Sequence, residues 1–90
     1  MIGWLDLKEM VNAADRGDHE SFAAAVDRLI PAFDVRAWDM FLQCVSLVSE
    51  HDIALCHRHA DAFRKAKAEG LFSRVSFGSA VRAEIIMGRF

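Results

Sequence analysis

Proline occurs once in this chain, at position 31, and glycine five times. That leaves little room for long loops. Cysteine occurs twice, at positions 44 and 56. Neither belongs to a Cys-x-x-Cys knuckle, so the usual signature of a structural zinc site is missing. No apolar run approaches the roughly 20 residues of a membrane span. The opening stretch MIGWLDLKEM has no basic leader before an apolar core, so it does not read as a signal peptide. With two unflanked cysteines and no targeting segment, a cytoplasmic location is expected. No Gly-rich phosphate loop, nucleophile elbow or paired-carboxylate motif occurs. The common routes to catalysis lack their residues, and the expectation is a non-enzyme with no cofactor, no metal and no small-molecule substrate.

What is present is a folded composition. The 90 residues are 53% hydrophobic and 27% charged, enough for one domain over 1–90. A chain this size hides only about 60–65% of its unfolded surface, so its core is thin. The net charge of −2 hides a gradient. Residues 1–56 hold four Lys/Arg and ten Asp/Glu, whereas residues 57–90 hold seven and three. The two halves either face each other within the fold, or serve a charged partner or head-to-tail self-association.

Every segment reads helical, and the fold class is all-α: a compact bundle of about five short helices around a central one. In 4–16, Trp4, Leu7, Met10, Val11 and Ala14 line one face. Gly17 suits the left-handed position after a helix, and Asp18 the N-cap of the next. The Arg16-Gly17-Asp18 tripeptide is therefore a hinge between antiparallel helices rather than an adhesion motif. Residues 19–30 bury Phe22, Ala25, Val26, Leu29 and Ile30, and Pro31 stops them. Asp34 caps the central helix, 34–50. There Arg36, Asp39, Gln43, Ser46 and Glu50 share an arc of about 80°, at about 100° per residue, and almost all else is apolar. Such a helix is a core helix with one wetted edge, or it offers apolar surface to a partner. Asp52 is expected to cap a fourth helix over 53–69, which Gly70 ends. Residues 71–78 read as a packed loop and the last helix as 79–87 from a Ser79 cap, with Ser73 or Ser76 as earlier starts.

Cys44, His51, Asp52, Cys56, His57 and His59 form the richest chemical cluster. Cys44 and Cys56 fall at comparable heights of a hairpin with His59 one turn away, yet the ligand spacing opposes zinc. Cys56 and His59 also lack the third group and the open site that thiolate catalysis needs.

Binding to a macromolecule remains. The leading expectation is a protein partner or self-association through the apolar edges beside the central helix's polar strip: Met40 and Leu47, or Val35 and Leu42. Trp4, Leu5, Phe72, Phe77 and Phe90 are further apolar side chains that five helices need not cover, and aromatics and Met suit interface cores. Phage or mobile-element inhibitors of host machinery and adaptor subunits share this small, motif-poor character. The alternative is a nucleic-acid-binding regulator that uses Arg58, Arg64, Lys65 and Lys67. Asp61 and Glu69 interrupt that basic face, and the chain as a whole is acidic.

Overall fold

A computed structural model describes all residues 1–90. Six α-helices form and no strand: α1 Trp4–Asp15, α2 His19–Leu29, α3 Val35–Cys44, α4 Glu50–Arg58, α5 Ala60–Ala68 and α6 Phe77–Met87. Short 3₁₀ turns at Ile30–Ala32 and Leu71–Ser73 lead into α3 and toward α6. The all-α bundle expected from periodicity is present, with one helix more than the five expected. No helix is long and apolar enough to cross a membrane.

The core gathers on α3. Trp38 meets Phe63, Phe72 and Phe33 edge-on, with ring centroids 5.0, 5.2 and 5.3 Å away. Phe41 adds a second hub, touching Phe22, Phe33 and Phe63. α1 and α6 flank α3, while α2 packs on α1 and α4. The accessible surface is 5205 Å². A folded monomer of 10.1 kDa is expected to expose about 5,300 Å². The short helices therefore do cover the core, and apolar exposure elsewhere is a local feature.

Several local signals act as read. Gly17 has φ +69° and closes α1, and Asp18 Oδ1 accepts from the Ser21 N–H at 3.0 Å to open α2. Phe22, Ala25, Val26, Leu29 and Ile30 are all buried. Asp34 Oδ1 accepts from the Ala37 N–H at 2.9 Å and starts α3. Gly70, at φ +77°, follows the end of α5.

Others are corrected. Trp4 does not join the buried face of α1; it is exposed, and Leu7, Met10 and Ala13 carry that face. Ile2 is buried in its place, just before the Gly3 cap, where an apolar residue can staple to the fourth helical residue, Leu7. Arg36 Nη2 donates to the Ile2 carbonyl at 3.1 Å and holds the segment there.

The central helix spans ten residues, 35–44, rather than reaching residue 50. Its length is about 15 Å instead of about 25 Å, at 1.5 Å per residue. No glycine or proline ends it. One of its closing carbonyls is satisfied from far away: Arg82 Nε donates to the Leu42 carbonyl at 2.6 Å, while Arg89 Nη1 donates to the Leu47 carbonyl at 3.1 Å in the segment that follows. A last turn with a carbonyl already bonded gains less by continuing. Ser46 and Glu50 therefore leave the polar strip. What remains of it is used for docking: Arg36 holds Ile2, and Asp39 accepts from the Ser76 hydroxyl at 2.9 Å and from the Ser79 hydroxyl.

The fourth helix is capped by Ser49, whose Oγ accepts from the Asp52 N–H at 3.3 Å, not by Asp52. Asp52 is buried, and its Oδ2 accepts from the Ser46 N–H at 2.7 Å. The expected single helix over 53–69 breaks at His59 into α4 and α5. His59 is pulled off the helical path, with its Nε2 on Asp27 Oδ1 of α2. The last helix begins from a Ser76 cap, not Ser79, so Phe77 and Gly78 are helical rather than looped.

Candidate protein-binding surface

The cysteine and histidine cluster disperses in three dimensions. Cys56 is buried, and burial together with the nearby Asp52 charge pushes its thiol up to about 12. Cys44 is half-buried; burial, then Asp15 and Asp52, push it up to about 11. Both thiols are neutral and free near pH 7. His59 faces Asp27, and His51 stacks on His19 with ring centroids 4.6 Å apart. No group of three or more His, Cys, Asp and Glu side chains converges on a point that an ion would occupy.

The basic residues are largely engaged. Arg58 Nη2 contacts Asp27 at 2.9 Å, Arg64 Nη1 contacts Asp61 at 3.3 Å, and Lys67 Nζ contacts Glu84 at 3.1 Å. His57 meets the Phe90 ring edge-on rather than pairing with Asp61. Of the four cations expected to meet phosphate, only Lys65 has no carboxylate partner. Asp27 is the one acidic side chain of 1–56 that forms ion pairs with the 57–90 half. Burial raises the Asp27 pKa, but hydrogen bonds from His59 and Arg58 outweigh it and hold the carboxyl below its usual range.

Asp39 is held low mainly by the Ser79 hydroxyl, against some burial, with Ser76 adding to the effect. Because its folded pKa lies below the ordinary value of about 3.9, its contribution is complete above roughly pH 5. The contribution is lost as pH falls through 4 toward the lowered native value. Asp39→Asn is expected to cost about 1–2 kcal/mol at pH 7 and to flatten the acid limb of stability. Urea midpoints measured from pH 3 to 7 check this, and an unchanged acid slope in the variant counts against it.

The apolar edges of α3 fare unequally. Leu42 is completely buried and offers nothing to a partner. Met40 and Leu47 are half-buried against the core, and Val35 is half-buried at the start of α3. Met40 lines a groove of about 340 Å³ with Val11, Ala14 and Gln43, and Leu47 joins a larger one. With Val48, Ile53 and Ala54 it lines a groove of about 570 Å³, edged by Glu50, His57 and Arg89. Val48 is 93% exposed there.

A second unclaimed apolar surface belongs to α6. Phe77, Val81 and Ile85 are 85%, 41% and 42% exposed. At about 100° per residue they fall within one arc of about 80°. Gly78 and Gly88 share that side, and Glu84 lies at its edge, paired with Lys67. The opposite side carries the buried Ser79, Ala83 and Ile86. α6 thus carries apolar side chains on two opposite faces, parted by Arg82 and Glu84, and only one of those faces is covered by the rest of the chain. Residue 89 continues the ridge one turn beyond Ile85, and the Arg89 contact to Leu47 joins the ridge to the Val48 groove.

Trp4 and Leu5 are also exposed, at the start of α1, but Lys8 and Asn12 interrupt that face. Phe72 is buried and Phe90 half-buried against Phe63.

The α6 ridge was within reach of the sequence, because Phe77, Val81 and Ile85 stand four apart. Reading residues 71–78 as a loop removed Phe77 from the series and hid it. The groove was not within reach: it depends on α3 ending at Cys44 and on Arg89 meeting a carbonyl 42 residues away.

No family model matches the chain, and comparison with curated proteins and with solved structures gives no match.

Proposed function

We propose that this protein is non-catalytic and acts by binding another protein through the exposed ridge of α6 and the adjoining Val48 groove. It would serve as an inhibitor or as an adaptor subunit. The carrying observation is the ridge itself: three large apolar side chains in register on the exposed face of a helix whose other face is packed in the core. The total exposed area is already that of a complete monomer, so the ridge is not a by-product of a core too small to close. Exposed apolar surface in such a fold marks an interaction site.

The double variant Phe77→Ser, Ile85→Gln removes the ridge without changing charge. Both sites are outside the core, so stability should move by only about 0.5 kcal/mol per site. Immobilised wild-type protein should retain a protein from native host lysate that the double variant does not. Nuclease treatment should leave that capture intact. If both proteins capture the same set, the ridge is not the binding surface. If nuclease abolishes capture, the nucleic-acid reading takes its place.

A further inference from the structure

The geometry points to an acidic amphipathic helix of another protein as the occupant of the α6 ridge. This inference rests on the protein-binding reading above and names the chemistry of the partner. Three cations accompany the ridge: Arg82 and Arg89 follow the flank beside Ile85 at about 100° per residue, and Arg74 stands three residues before Phe77. None of the three forms an ion pair with a carboxylate. Arg82 and Arg89 are fixed instead by main-chain carbonyls, which leave their positive charge uncompensated. The opposite flank is neutral, because Glu84 already holds Lys67. Apart from Lys65 on α5, the cations of the 57–90 half that lack a carboxylate partner are these three arginines. A helix that lays an apolar face on Phe77, Val81 and Ile85 matches them when its own flank carries Asp or Glu.

The same pattern disfavours a second copy of this chain. A two-fold contact of α6 on α6 that runs parallel sets the arginine edge against the flank where Glu84 already holds Lys67, and one that runs antiparallel sets like flanks against each other. In the antiparallel case Arg82 and Arg89 would face their own images. A head-to-tail contact avoids the clash, but it does not close unless the copies form a ring. None of these routes satisfies the three arginines as simply as an acidic partner.

Two dye-labelled 16-residue helical peptides with one shared Leu/Ile/Phe face test this on the full chain by fluorescence anisotropy. One has glutamates on both flanks, the other lysines. The Glu-flanked peptide is expected to bind at least tenfold more tightly at low salt, with the gap narrowing as salt rises. Phe77→Ser, Ile85→Gln should abolish binding. Arg74→Gln should weaken the Glu-flanked peptide about three- to tenfold, while Arg89→Lys keeps most of the affinity.

Equal binding of the two peptides, lost in the double variant, overturns the acidic partner and leaves the ridge as a docking site. Binding of neither peptide also overturns it, while lysate capture still decides the ridge independently. A dimer in sedimentation that the double variant dissolves assigns the ridge to a second copy and overturns the proposal. Displacement of the Glu-flanked peptide by a 20-base-pair duplex shows the arginines serving phosphate, and overturns it as well.

Discussion

Trp38→Ala is expected to lose about 3–5 kcal/mol of stability, the cost of an aromatic truncated in a closed core. A domain of this size holds about 5–15 kcal/mol in all, so the variant should be partly unfolded near 37 °C. The reason is the position of Trp38 more than its size. It is 3% exposed and touches Phe33, Phe41, Phe63 and Phe72, which arrive from four separate segments. Their rings surround it edge-on, a geometry worth about 0.5–1.5 kcal/mol per pair beyond area burial. The cavity left behind would be walled by four rigid rings that collapse poorly. Trp4 supplies the control: it is 60% exposed, and Trp4→Ala should move stability by no more than about 0.5 kcal/mol. Urea titrations followed by circular dichroism measure both. A Trp38→Ala cost under about 1.5 kcal/mol would mean that the core closes without this hub.

Asp52 carries the second large effect. Asp52→Ala is expected to cost about 1.5–3 kcal/mol, because its carboxylate takes the Ser46 N–H from within the core's edge. Ser49→Ala should cost only about 1 kcal/mol, the worth of an ordinary N-cap. The two values discriminate between roles. Were Asp52 the cap of α4, Ser49→Ala would be silent and Asp52→Asn nearly neutral. With Ser49 as the cap and Asp52 tying down residues 45–49, both Ser49→Ala and Asp52→Asn carry a cost, and amide exchange should quicken at Ser46 in Asp52→Ala. Urea midpoints with unchanged slopes, together with exchange rates at that amide, decide between them.

These two residues also show where the sequence was legible. Trp38 falls on the apolar side of a periodic stretch, and its burial follows from pattern alone. Gly17, Asp18 and Asp34 act through contacts within three residues, so local chemistry revealed them. Asp52 looked like a cap because Asp before an apolar run usually is one. The true cap, Ser49, lay three residues earlier, and nothing local separates the two. The end of α3 and the kink at His59 depend on partners 40 and 32 residues distant. Periodicity carries no information about such partners, and both boundaries were misplaced for the same reason. The candidate surface inherited the error: Leu42 was read as exposed on a helix six residues too long, while the α6 ridge was split by a helix start set two residues late.

One helix holds both the first residues and the start of the last helix. α3 binds the Ile2 carbonyl through Arg36 and the start of α6 through Asp39. During synthesis, the residues of α3 emerge about 40 positions before α6 is complete. At about 5–20 residues per second, that interval is roughly 2–9 seconds. Through it Asp39 lacks Ser76 and Ser79, and Arg82 is not yet there to take the Leu42 carbonyl. The bundle therefore becomes whole only after its final helix appears, and each newly made copy passes through a window of seconds in which its central helix is open to any apolar surface nearby.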